Sequence, residues 1–383
     1  MSTVEPRASL NTLAAQGTVP PEDFTKCPER VVEIADVPLE VPNLKAAVDQ
    51  ITGLGFYDRE RVEDALVSLV IGNVVFAGPP GTGKTKLAGL LAQAFNVELR
   101  SETANPEWSV YDVIGSQALN AQGGTQPKHG IVTSSILDCA ATTVRHLDKG
   151  QGPQGEWLLI DEMNRAEIDR AFGPLFTAFS GEDKGTFSLD YVDGSPRVMI
   201  PKRFRILCTM NDYDTRFVNS MSGALRRRFA RVLVLPPENV EGMIPEAELD
   251  IAIDGAGKMI QSRLGKGAET GRAALETRSS QLRKIFGGIR QLDTLDGIAI
   301  GTSQLIDCCT YAMAYLASGP APESEDAWGR LLDRVLETRL ISGLETDSTR
   351  IRLTDEYVDA LTKAFPMLPR TTTRLRKFLH GSI

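Results

Sequence analysis

The apolar positions fall into two regimes along the chain. Between residues 73 and 235 they come as short continuous runs: NVVFAG (73–78), WLLID (157–161), RILCTM (205–210) and RVLVL (231–235), with helical spacing between them. Continuous runs of this length mark strands buried on both faces, and their alternation with helices predicts a parallel sheet covered on each side. Ahead of them, AAVDQITGLGFYDRERVEDALVSLVIG (46–72) keeps helical spacing broken at Gly53–Gly55, which predicts two helices leading into the first strand. After Pro236 and Pro237 only helical spacing remains, in MIQSRL, SQLRKIFGGIRQL, TSQLIDCCTYAMAYLA and AWGRLLDRVLETRLISGL. Three parts are expected: an arm over 1–40, rich in Pro, Ser, Thr and Glu and burying little; an α/β domain over 41–237; and a helical domain over 238–383.

Composition narrows the class. At 383 residues, 42% hydrophobic and 24% charged, the chain can build a sizeable globular core. A formal charge of -8 argues against a general basic surface for nucleic acid. The C-terminal RTTTRLRKFLHG gathers Arg370, Arg374, Arg376 and Lys377, which fits either a solvated helix end or a local basic groove. No run approaches the roughly 20 apolar residues that cross a bilayer, and the N-terminus lacks a basic flank followed by an apolar stretch. A cytoplasmic protein without a membrane partner is therefore expected. The five cysteines form no CxxC pair and the three histidines are scattered, so neither a zinc site nor a disulfide framework is indicated. Cys308 and Cys309, adjacent in an apolar run, read as buried packing residues or as a redox pair.

Four segments carry chemistry. In NVVFAGPPGTGKTKLAGLLAQAF, a strand, a glycine-rich turn and a helix follow one another, the context of a phosphate-binding loop. Gly78, Gly81 and Gly83 permit backbone conformations closed to other residues, so that successive N–H groups can turn toward a triphosphate. Within this cradle of Gly78, Pro79, Pro80, Gly81, Thr82, Gly83, Lys84 and Thr85, Lys84 reaches the β and γ phosphates and Thr85 offers its hydroxyl to Mg2+. In WLLIDEMNRA an apolar strand ends in two carboxylates: Asp161 would hold Mg2+ through water and Glu162 would polarise the attacking water. In RILCTMNDYD the buried strand ends in Asn211, placed to hold that water or to touch the γ phosphate. Finally, SGALRRRFARVLVL sets Arg226, Arg227 and Arg228 before a strand, where they serve either salt bridges within one copy or the triphosphate of a neighbouring copy.

The order GPPGTGKT, LLIDEMNRA, TMND, ALRRRF resembles AAA+ ATPases, over residues 41–237 well and over the helical lid less specifically. The resemblance implies a parallel five-stranded sheet covered by helices, then a helical lid. It makes Lys84 and Thr85 Walker A residues, Asp161 and Glu162 Walker B, Asn211 sensor 1, and Arg227 and Arg228 the fingers. Within that class the chain resembles the branch with an insert in the second helix, here near 116–133 with Asp112 and Gly115 at its entry and Gly130 at its return. That branch holds MoxR-type ATPases, dynein-related ATPases and McrB-type motors. EMNRAEIDRAFGPLFTAFSGE, TMND and the triple arginine are similar to the McrB side, as is the lack of an arginine in Gly301, Thr302, Ser303 and Gln304. The resemblance implies ATP or GTP with Mg2+, a homo-oligomeric ring taken as a hexamer, and a partner to be remodelled or translocated. A nuclease or effector subunit of a prokaryotic defence system is one expected partner, and a von Willebrand factor A domain protein the alternative; a nucleotide-gated scaffold is a third reading. A second hairpin is expected in KGTFSLDYVDGSPRVMIP, turning at Asp193 and Gly194.

Overall fold

The computed structural model describes residue 24 and residues 26–55, 57–175, 178–180, 185–211, 223–265, 268–319, 322–341 and 353–381. Helices α1 (Leu44–Thr52) and α2 (Arg59–Ile71) start at Asn43 and Asp58, whose side chains accept from the N–H of Ala46 and Arg61 at 3.0 Å each. Such caps satisfy donors that the first helical turn leaves open. The strands then run β1 (Asn73–Gly78), β2 (Glu98–Thr103), β3 (Gly115–Leu119), β4 (Thr125–His129), β5 (Glu156–Asp161), β6 (Thr186–Ser188), β7 (Arg197–Met199), β8 (Ile206–Asn211) and β9 (Phe229–Leu233). Between them lie α3 (Lys84–Ala94) and α4 (Ile131–Lys149).

Five strands form one parallel sheet in the order β2-β5-β8-β1-β9. Alternate residues of each central strand enter opposite cores. Val74, Phe76, Leu159 and Leu207 pack with α1, α2 and α3, while Val75, Leu158, Ile160 and Cys208 pack with α4. Because both faces are covered, these strands have no polar side and read as uninterrupted apolar runs. The fifth strand, β2, does not: ELRSET is polar and half-exposed because it lies at the sheet's edge. Strand β9 begins two residues before the RVLVL run, since its pairing with β1 starts at Asn73 opposite Phe229.

The arm departs from expectation. Phe24, Val31, Ile34 and Val37 are buried against the α4 face of the sheet. Arg203, itself buried, donates to Pro38 O at 2.8 Å and to the Glu40 carboxylate at 2.7 Å, and the Gln154 amide bonds both backbone groups of Glu40. The packed unit therefore starts well before residue 41, on a three-residue apolar spacing too short to stand out among prolines. Residues 1–23 lie outside the described residues. Both hairpins are present: β3 pairs antiparallel with β4 and β6 with β7. Tyr191 ties the two together, its hydroxyl donating to Ile114 O at 2.9 Å and lying 2.8 Å from His129 Nδ1.

Beyond Pro237 the described residues are mainly helical, apart from a short antiparallel pair at Gln291–Leu292 and Leu295–Asp296: α5 (Glu246–Leu264), α6 (Ala268–Glu276), α7 (Ser279–Arg290), α8 (Thr302–Ser318), α9 (Glu325–Val335), α10 (Asp355–Ala364) and α11 (Pro369–Leu379) share one apolar core. Cys308 and Cys309 are free thiols in that core; burial pushes Cys309 up to about 12, so the pair packs and offers no thiolate. In the basic C-terminal helix, Arg370 pairs with Glu337 at 3.0 Å and Arg376 with Asp359, so acidic neighbours answer these charges. No helix among the described residues is long and apolar enough to cross a membrane.

Glu156 opens β5 at the sheet end away from the loops, and burial, then the Asp138 charge, raises its carboxyl from 4.5 to about 7. The folded chain thus holds a proton there that the unfolded chain releases, so stability falls as pH rises from 4.5 to about 7. Glu156→Gln should raise the melting temperature at pH 8 by about 2–4 °C and give no gain at pH 4.5. Equal shifts at both pH values in a calorimetric scan would remove this carboxyl from the account.

Candidate active site

The sheet order places the carboxyl ends of β1, β5 and β8 side by side, where the chain switches from β1 to the far edge strand β2. Open parallel sheets bind ligands at such switch points. The loop after β1 has Gly78 at φ 151°, Gly81 at 78° and Gly83 at 84°, conformations that L side chains rarely adopt. A Cβ on Gly78 would lie 2.2 Å from Val234 O. Only glycine lets the loop leave β1 so close to the segment after β9.

Lys84 is buried at the start of α3, its ammonium donating to the carbonyls of Gly78 at 3.1 Å and Pro79 at 2.6 Å. Thr82 donates to Pro79 O at 3.1 Å. One residue on, Thr85 donates its hydroxyl proton to Asp161 Oδ1 at 2.9 Å. A hydroxyl and a carboxylate so placed are hard oxygen donors that suit Mg2+, which would draw its remaining ligands from water and phosphate. A bound Mg2+ would neutralise phosphate charge. The residues present therefore fit the group that the loop implies.

Thr209, which the sequence reading passed over, organises the acidic pair. Its hydroxyl donates to Asp161 Oδ1 at 2.5 Å and accepts the N–H of Glu162 at 2.9 Å. Glu162 stands at φ 54°, a left-handed conformation that is strained outside glycine and recurs at functional sites. Its carboxylate meets Arg165 Nε at 2.9 Å. Asn211 ends β8 directly opposite Gly78 of β1, with Asn164 Nδ2 3.5 Å from its carbonyl. A buried threonine in an apolar strand looks like core in a sequence; its placement beside Asp161, two residues before the end of the strand, is visible only once β5 and β8 are paired.

A cleft of about 440 Å3 runs along these groups and also touches Tyr57, Thr302 and Ser303. Tyr57 donates to Gly83 O at 3.0 Å and stands between this cleft and a second hollow of about 530 Å3 walled by Gly55, Val62, Leu87 and Pro236. The first carries the ammonium and hydroxyl groups that phosphates need, and the second has the volume to take a base beside it.

Arg226, Arg227 and Arg228 are not brought to this cleft. Phe229 pairs with Asn73, the opposite end of β1 from Gly78, so five strand residues, roughly 16 Å, separate the arginines from the loop of their own copy. Arg226 and Arg227 are exposed and Arg228 is half-buried.

Comparison with known proteins agrees with this geometry. Residues 73–229 match the AAA domain of the dynein-related subfamily. Residues 73–229 are thus an AAA+ nucleoside triphosphatase core built on a parallel P-loop sheet, and a helical domain follows it. The uncharacterized protein YojN of Bacillus subtilis (strain 168) is 28% identical over 111 residues, 29% of this chain and 32% of that protein. The chain thus aligns with about a third of that relative's length. The crystal structure of a presumed ATPase from Cytophaga hutchinsonii overlays 94% of this chain and 89% of its own, at 13% identity and a TM-score of 0.36. So distant an overlay adds nothing to the sheet order as evidence of fold.

Removing the Thr209 hydroxyl should separate binding from turnover. Thr209→Val is expected to lower kcat at least about tenfold while nucleotide affinity stays within about threefold, and Thr209→Ser to retain most activity. A fully active Thr209→Val enzyme in steady-state phosphate release would show that the hydroxyl does not set the carboxylates.

Proposed function

We propose that the chain hydrolyses ATP or GTP, with Mg2+, at a site completed by a second copy of itself in a ring of six. The observation that carries this reading is the position of Arg227, exposed, and Arg228, half-buried, at the end of the sheet opposite their own phosphate loop. Arginines there cannot stabilise charge in their own cleft, whereas a neighbour packed against that end can receive them. In this reading Lys84 and the loop N–H groups hold the phosphates, Thr85 and Asp161 hold Mg2+, Glu162 polarises the attacking water, and Asn211 orients it. The Glu162–Arg165 contact would have to yield for the carboxylate to reach that water. Among the described residues that wall the second hollow, where the base would lie, none distinguishes adenine from guanine, so both nucleotides stay within the proposal.

Hydrolysis in such a ring would remodel or translocate a partner. The similarity of the EMNRA, TMND and triple-arginine segments to McrB-type motors supports a nuclease or effector subunit in a prokaryotic defence system.

Mixing two inactive variants tests the shared site. Glu162→Gln should bind nucleotide without turnover, and the double variant Arg227→Ala/Arg228→Ala should also be inactive. In an equal mixture half the sites keep Glu162 and half of those meet an intact neighbour, so about a quarter of wild-type activity should return. Co-assembly without any recovery at any ratio would contradict arginines acting from a neighbour.

A further inference from the structure

The lid does not merely face the phosphate loop; it holds it. Ser303 N–H donates to Gly81 O at 3.1 Å, and the Gln304 amide donates to Pro80 O at 3.1 Å. The other end of that amide accepts the Gly301 N–H at 2.8 Å, so its orientation is set. The approach is close enough that a Cβ on Gly301 would lie 2.3 Å from the Gly81 carbonyl carbon. Contact this tight requires glycine on both sides.

Behind the turn stands a buried ion pair. Glu248, fully buried, takes the Arg290 guanidinium on both oxygens at 2.6 and 2.7 Å and accepts the Thr302 hydroxyl at 2.9 Å. Arg290 also donates to Ile300 O at 3.0 Å and to Pro237 O at 3.2 Å, at the junction of the two domains. Buried pairs add little to stability beyond what apolar residues of similar size would give, but they fix geometry. Here the fixed geometry is that of residues 300–302, and so of Ser303 and Gln304 in front of them.

The trans peptide plane turns this contact into a statement about nucleotide. In each peptide unit the C=O and the following N–H point in opposite directions. Holding Pro80 O toward the lid turns the Gly81 N–H away from it, and holding Gly81 O does the same for the Thr82 N–H. Two donors of the phosphate cradle are thereby aimed. We propose that Gln304, registered by the Glu248–Arg290 pair, is a positioning residue for nucleotide: it pre-orients the Gly81 and Thr82 N–H groups toward the phosphates and slows release. The inference rests on nucleotide binding at this loop and not on the ring.

Gln304→Ala in the full chain removes the donor at a half-buried position. Release of a fluorescent ATP analogue, followed by stopped flow, should quicken about five- to tenfold, with KM rising in proportion, kcat within about twofold and the nucleotide-free melting temperature unchanged. The isosteric Gln304→Glu, which keeps the acceptor and loses the donor, should release at least as fast. Glu248→Gln should raise the release rate by a comparable factor, and combining it with Gln304→Ala should add little, because both act through one contact. Unchanged release in Gln304→Ala, or multiplicative effects in the double variant, would overturn the proposal.

Discussion

One carboxylate oxygen joins the three elements of the site. Asp161 Oδ1 accepts the hydroxyl protons of Thr85, at the head of α3, and of Thr209, near the end of β8, while Asp161 itself ends β5. The phosphate loop, the acidic pair and the strand that carries Asn211 are therefore in register through side chains as well as through the sheet ladder. Any ligand that draws on Asp161 and Thr85 is felt at Thr209, and through its hydroxyl at the backbone of Glu162. The proposed chemistry would depend on this junction, because a carboxylate that polarises water must be aimed to within tenths of an ångström.

The surrounding fold is arranged around that demand. Two cores press on the sheet from opposite faces, and the cleft lies at the carboxyl ends of the strands. The helical domain then covers the opening with the turn Gly301–Gln304, backed by a fully satisfied Glu248–Arg290 pair. Rigid walls, a glycine loop and a lid that grips the loop's carbonyls together present N–H groups to phosphate with little reorganisation left to pay on binding.

What was legible beforehand follows the physics of each residue. Strands β1, β5 and β8 stood out because burial on both faces forces continuous apolar runs, and the glycine loop stood out because few other sequences satisfy its backbone. Strand β2 was hidden by its edge position, which lets it be polar. The anchoring of residues 26–40 was hidden because Val31, Ile34 and Val37 are too few to form a periodic signal, although Arg203 and Gln154 secure what they start. Thr209 and Glu248 were hidden for another reason: their partners lie 42 to 54 residues away, and no local pattern announces such a contact.

The most direct test of the account is the Mg2+ dependence of nucleotide affinity in Asp161→Asn, measured by calorimetric titration with ATP in Mg2+ and in EDTA. If Asp161 and Thr85 form the cation's place, the wild type should bind ATP more tightly with Mg2+, and the variant should bind with nearly equal affinity in both buffers. A variant that keeps the full Mg2+ enhancement would contradict the account at its centre.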